Sequence, residues 1–198
     1  MNAPDDRPIA LLIIGSPRVP SHTDALVRCI GDALEVRGMR TEYWTTSFPA
    51  LPLADPRYHR DPSSHPDPNV RDLVAHAERA DAFVLGSPIY HSSYSAVLKN
   101  ALDHLANRHF AYKPVGLASH GGGRTSQAVD HLRIVVRSLN AMATPTQVCT
   151  QDSDYEGDGP FVVADALIRS RVARMANELD VLARSLRVER SSLLELAR

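Results

Sequence analysis

The chain has 198 residues, 23% of them charged and 43% hydrophobic, the profile of one globular domain able to bury its own core. Its 22 Lys+Arg against 23 Asp+Glu leave a net charge of −1, with no basic excess for a phosphate backbone, which excludes a dedicated nucleic-acid binder. Cys29 and Cys149 lie far apart with no CxxC, which argues against a disulfide framework and a zinc ribbon.

Met1–Arg7 reads as a polar tail. Its acidic start, MNAPDDRP, is unlike a signal peptide, so a cytoplasmic protein is expected. Pro8–Ile14 is a continuous apolar run ending at Gly15. It is too short to span a bilayer and suits a strand buried on both faces. The turn-rich GSPRVPSHT leads into a helix with Leu26, Val27, Ile30, Ala33 and Leu34 on one face. Ser21 or Thr23 would cap it and Gly38 follows its end. Met39–Thr45 alternates as a second strand. Thr46–Asn69 carries six of the 14 prolines and reads as a long loop, of the kind that is functional or mobile.

Val70–Ala80 is a helix and Ala82–Gly86 a third buried strand, ended by Ser87-Pro88. Tyr94–Asn107 is helical, with Val97, Leu98, Ala101, Leu102 and Leu105 on one face. Pro114–Ser119 is a fourth strand, Arg124–Asn140 a helix and Pro145–Thr150 a fifth strand. Asp152–Pro160 is a turn-rich loop. From Phe161 on, Ile168, Val172, Met175, Leu179 and Leu182 mark a long amphipathic helix, whose last turns to Arg198 form an extension.

Strands alternating with helices imply an α/β fold, a parallel sheet with helices on both faces. Ligands of such sheets bind outside the carboxyl ends of the strands, where strand order reverses. Three loops therefore matter: Gly15–Thr23, Ser87–Tyr94 and His120–Arg124. The first ends at a helix N-terminus, where free N–H groups and the helix dipole favour an anion. Ser16, Ser21 and Thr23 add hydroxyls there, and Arg18 a charge that can clamp phosphate. No GxGxxG and no Gly-Lys-Ser/Thr occurs, so neither a dinucleotide fingerprint nor a Walker loop is present.

The second loop sets Pro88, Tyr90 and His91 at the end of a buried strand, within reach of a flat heterocycle. The third, Ser119-His-Gly-Gly-Gly123, lets a backbone approach a ligand closely. HGGG also serves esterases as an oxyanion-hole element, but no GxSxG is present, so a serine hydrolase is disfavoured. The nine histidines show no HExxH or paired cysteine spacing, so no metal is expected and most should lie on the surface.

Together these loops resemble the NADPH-dependent FMN reductase family of the flavodoxin-like superfamily. GSPRVPSHTDAL is similar to that family's phosphate loop, Gly-Ser-x-Arg followed by Ser-x-Thr. SPIYHSSYSAVLKNALDHL is similar to its second motif, a Pro-x-Tyr turn leading into a helix, matched here by Lys99, Asn100 and Asp103. The likeness spans roughly residues 8–180. Many members carry Pro-Glu-Tyr-Asn where this chain has Pro88-Ile89-Tyr90-His91.

The resemblance implies a five-stranded flavodoxin-like sheet, order 2-1-3-4-5, over residues 8–183, with 184–198 as a helical extension. It implies FMN, its phosphate at Ser16, Arg18, Ser21, His22 and Thr23. The ring would lie between Pro88, Ile89, Tyr90 and His91 on one side and Ser119, His120, Gly121 and Gly122 on the other. NADPH or NADH would reduce the flavin, which would pass hydride to a flavin, quinone or other small acceptor in a ping-pong scheme. The cofactor carries that chemistry, so no side chain is assigned as acid or base. Two alternatives stay open: an FMN-dependent dehydrogenase of a pathway metabolite, and a non-enzymatic electron carrier, which the near-zero charge disfavours. A homodimer or tetramer is implied, with the Tyr94–Leu105 helix at its interface, and no membrane partner.

Overall fold

The computed structural model describes residues 5–47 and 50–196. Within the tail expected over Met1–Arg7, residues 1–4 lie outside the described part, while Arg7 donates to Asp5 Oδ2 at 2.7 Å and Arg187 to Asp6 Oδ1 at 2.6 Å.

Five parallel strands form one sheet: β1 (Ile9–Ile14), β2 (Arg40–Thr45), β3 (Ala82–Pro88), β4 (Pro114–His120) and β5 (Met142–Thr150). Their order is β2-β1-β3-β4-β5, as the resemblance implied. The order reverses at β1 and β3, so the carboxyl ends of those two strands open a crevice. β1 and β3 are buried almost throughout because helices cover both faces.

On one face pack α1 (His22–Val36) and α6 (Ala166–Leu196), through Leu26, Ile30, Leu34, Val172, Met175 and Leu179. On the other pack α2 (Pro68–Arg79), α3 (Ala96–Asp103), the short α4 (Asn107–Phe110) and α5 (Gln127–Ser138), through Leu73, Leu98, Leu102, Phe110 and Leu132. Among the described residues, no helix is long and apolar enough to cross a membrane.

Several boundaries differ from the sequence reading, each for a local reason. Ser21, not Thr23, caps α1: its Oγ accepts from Asp24 N at 3.1 Å, and Thr23 is buried. The helix expected at Tyr94–Asn107 starts at Ala96, because Tyr90 and Ser93 first close a tight turn. The helix expected from Arg124 starts at Gln127, after the glycines.

The fifth strand starts earlier, at Met142, and carries Pro145. It is an edge strand with a register shift opposite Val115–Leu117, the setting in which a sheet tolerates proline. The loop Asp152–Pro160 holds β6 (Tyr155–Glu156), which pairs antiparallel with β7 (Val162–Val163). That pairing delays the last helix, expected at Phe161, to Ala166. α6 then runs unbroken through residue 183 to Leu196, and Arg190 reaches Asp81 at 3.3 Å. The end of the expected extension, residues 197–198, lies outside the described residues.

The proline-rich stretch, of which Phe48 and Pro49 lie outside the described part, makes 3-10 turns at Pro56–Tyr58 and Pro62–Ser64. α3 and the residue after it hold it: Asn100 accepts from Ala54 N at 3.0 Å and donates to Pro52 O at 2.8 Å, and His104 Nε2 lies 2.9 Å from Pro52 O.

Candidate active site

A cavity of about 310 Å³ sits over the carboxyl ends of β1, β3 and β4, within the size range of small-molecule sites. Eleven residues singled out from the sequence line it: Ser16, Arg18, Ser21, His22, Thr23, Pro88, Ile89, Tyr90, His120, Gly121 and Gly122. Two do not. Ser119 is fully buried inside β4, and His91 points to solvent on the Tyr90–Ser93 turn. Pro20, Asp152 and Phe161 also line it.

The first wall is the start of α1. Ser21 caps Asp24 N, and Ala25 N reaches Ser21 O. The N–H groups of His22 and Thr23 have no acceptor among the described residues, so they are free for an anion. Ser16 Oγ accepts from Arg18 N at 3.2 Å and shapes the loop. The Arg18 guanidinium has no carboxylate partner among the described residues. Two N–H groups, a helix N-terminus and an unpaired guanidinium fit a phosphate dianion.

The second wall is the loop after β3. Ile89 N donates to His120 O at 2.8 Å, which locks this loop to the next. Tyr90 and Ser93 exchange backbone bonds at 2.9 and 3.0 Å. That closure puts His91 and Ser92 at φ 48° and 62°. The left-handed region disfavours side chains bearing Cβ, so the turn is held strained by its surroundings. Tyr90 stays 44% exposed beside the cavity.

The third wall is the glycine loop. None of Gly121, Gly122 and Gly123 has a positive φ, so turn-making is not why glycine stands there. A Cβ on Gly121 would lie 3.0–3.2 Å from Ile89 atoms. Gly121 is therefore needed for the two loops to close on each other. A Cβ on Gly122 would meet nothing within 4 Å, so its missing side chain leaves space in the cavity. The far end of this loop is tied down by Arg124, whose Nε lies 2.9 Å from Asp154 Oδ2 and whose Nη2 lies 2.7 Å from Asp165 Oδ2.

The histidines depart from the surface expectation. His65, His104 and His109 are buried. His22 stacks on His120 at 4.3 Å and on Phe161 at 3.8 Å, with Tyr155 at 4.6 Å. Burial pushes both the His22 and the His120 imidazoles below their usual range. Asp152 comes from the stretch read as a turn-rich loop, and Phe161 from the position read as the start of the last helix. Their place follows from strand register: His120 pairs with Thr150, so the residues after β5 fold over the end of β4. Strand order plus register is the signal that could have found them.

The chain is similar to known proteins in both sequence and fold. Residues 9–154 match the family described as NADPH-dependent FMN reductase. The chain is 38% identical over 172 residues to an FMN-dependent NADPH-azoreductase of Staphylococcus aureus, covering 85% of this chain and 92% of that one. Among solved structures it is similar to an NADH:FMN oxidoreductase (EMOB), with TM-score 0.70 at 21% identity over 87% of this chain and 88% of that one. It is also similar to the NAD(P)H:acceptor oxidoreductase FerB of Paracoccus denitrificans, with TM-score 0.67 at 20% identity over 88% and 97% of the two chains. The chain belongs to the NADPH-dependent FMN reductase family, flavoenzymes that use FMN and NAD(P)H on the flavodoxin-like fold.

Proposed function

We propose that this chain uses NADPH and FMN to reduce azo compounds and quinone-like acceptors. The carrying observation is the first wall of the cavity: unclaimed N–H groups of His22 and Thr23 beside an unpaired Arg18, facing the open space at Gly122. A phosphate fits the first group of donors and a flat ring the space between the Pro88–Tyr90 and Gly121–Gly122 loops. When bound, FMN supplies the two-electron chemistry that links a nicotinamide donor to an acceptor. This chain's part is positioning. Ser16, Arg18 and Ser21 orient the phosphate end, and Tyr90 borders the mouth where donor and acceptor enter in turn. The azo class rests on the activity of the 38% identical azoreductase relative.

Steady-state NADPH oxidation, run with FMN and in turn with an azo dye, a quinone and no acceptor, tests this reading. Acceptor-dependent turnover is expected. Protein that holds FMN, accepts electrons from NADPH and turns over none of these acceptors would be a carrier instead.

A homodimer and a cytoplasmic setting belong to the same reading. Leu98 and Leu102 of α3 face the sheet, so they contribute nothing to an interface. The support is instead Ile134 on α5, which leaves a large apolar side chain 69% exposed, together with the only half-buried Tyr94 and Val97. Light scattering at the monomer mass of 21.7 kDa would reject the dimer.

A further inference from the structure

We infer that His22, His120 and Asp152 form a binding site for a borderline divalent cation of the zinc class, on the wall of the cavity. One donor atom from each residue lies within 4.8 Å of the other two. His120 Nε2 is 3.1 Å and His22 Nδ1 3.8 Å from the same carboxylate oxygen, Asp152 Oδ1. Bonds of about 2.0–2.1 Å in a tetrahedron require donors about 3.3 Å apart, and these two separations bracket that value.

The donor chemistry selects the ion. Two imidazole nitrogens and one carboxylate suit Zn²⁺ and Co²⁺, whereas Mg²⁺ and Ca²⁺ prefer all-oxygen sets. A group outside the ligands orients one of them. His120 Nδ1 lies 3.3 Å from Thr150 Oγ1, which itself sits 2.8 Å from the Tyr155 hydroxyl. With Nδ1–H donating to Thr150, the Nε2 lone pair faces Asp152 and the ion. The Tyr155 and Phe161 rings pack around His22 and exclude water from that side. The fourth position opens on the cavity all three residues line.

The two imidazoles stack with 24° between their planes. Both lone pairs reach one ion only after the rings fan apart. Asp152, 79% exposed, is free to follow. The site therefore closes on the ion rather than standing preformed, and binds more weakly than a closed structural zinc site. The site shares its lining with the cavity of the flavin reading, but its readout is metal occupancy and not electron transfer, so the two readings fail separately.

The test titrates Co²⁺ into the full-length chain with no flavin added, then displaces it with Zn²⁺. The expected result is visible d–d absorption that saturates at one ion per chain and disappears when Zn²⁺ is added. Asp152→Asn and His120→Gln should each weaken binding at least tenfold. Thr150→Val should weaken it about tenfold, the usual loss for an orienting partner. Circular dichroism of each metal-free variant shows whether it has folded. Asp152 is exposed, so its variant stands even if the buried ones fail. His76→Ala is the control, because His76 sits between Glu42 and Asp72 in a separate surface cluster. No saturable binding, or unchanged binding in Asp152→Asn, or loss in His76→Ala alone, would overturn the assignment.

Discussion

Ser95 Oγ donates a 2.5 Å hydrogen bond to the backbone oxygen of Gly15, joining positions 80 residues apart. The same hydroxyl oxygen accepts from Leu98 N at 3.2 Å as the N-cap of α3, and Ser95 N donates to Ser87 Oγ at 2.8 Å. One buried serine thus ties the phosphate-side loop to both ends of the loop after β3. The approach leaves no room for a side chain at residue 15, where a Cβ would lie 2.7 Å from Leu98 Cβ.

Ser95→Ala removes a helix cap and leaves Gly15 O without this donor. The loss should be about 2 kcal/mol of stability, the sum of a cap and a buried hydrogen bond. Urea unfolding measures it. FMN affinity should fall too, because both cavity walls lose their shared anchor. Unchanged stability and affinity would show that neither loop depends on Ser95.

Arg18→Ala separates the phosphate from the ring. A charge-assisted contact contributes about 1.5–3 kcal/mol, so FMN should bind roughly 10–100-fold more weakly. Riboflavin, which has no phosphate, should bind as before. Equal losses for both ligands, read by flavin fluorescence, would remove Arg18 from the phosphate. A raised KM for NADPH with FMN affinity intact would place it on the nicotinamide side.

The two glycines should behave oppositely. Gly122→Val places its Cβ where no other protein atom beyond its chain neighbours lies within 4 Å. Its thermal midpoint without cofactor should stay within a few degrees while FMN is lost. Gly121→Val drives into Ile89 at 3.0 Å and should lower the cofactor-free midpoint as well. Normal FMN affinity in Gly122→Val would take this loop out of the site.

His109 sets an acid limit on stability at the far end of the sheet. Its Nδ1 accepts from Ala106 N at 2.9 Å, and its buried Nε2 has no hydrogen-bond partner, lying 3.7 Å from Glu78. Burial, then the Arg108 and Lys113 charges, lowers its pKa to about 4. Between about pH 4 and 6.5 the unfolded chain therefore binds the extra proton, and stability falls as pH drops through that window. The full loss is about 3 kcal/mol. His109→Asn keeps an acceptor for Ala106 N and has no proton to gain. Its denaturation midpoint should change less across the window than that of the wild-type chain. Parallel pH profiles for the two would show that His109 does not set the limit.

Much of this protein was legible as sequence because it depends on local pattern. Continuous apolar runs such as Ile9–Ile14 become strands buried on both faces, since helices cover both sides of a parallel sheet. Ser21 before an apolar-periodic segment starts a helix, and a helix N-terminus after a strand offers free N–H groups and a dipole that favour an anion. Those rules located the three walls of the cavity. What needed tertiary structure is what register and burial decide. Asp152 and Phe161 reach the cavity because Thr150 pairs with His120 across neighbouring strands. Ser119 turned away from it because alternate residues of β4 face opposite sides of the sheet. His22, His120 and Asp152, spread over 130 positions of chain, meet because α1 begins, β4 ends and the segment after β5 begins at the same end of the sheet. No spacing in the chain encodes that meeting, because three-dimensional neighbours at the ends of parallel strands are separated in sequence by whole crossover units.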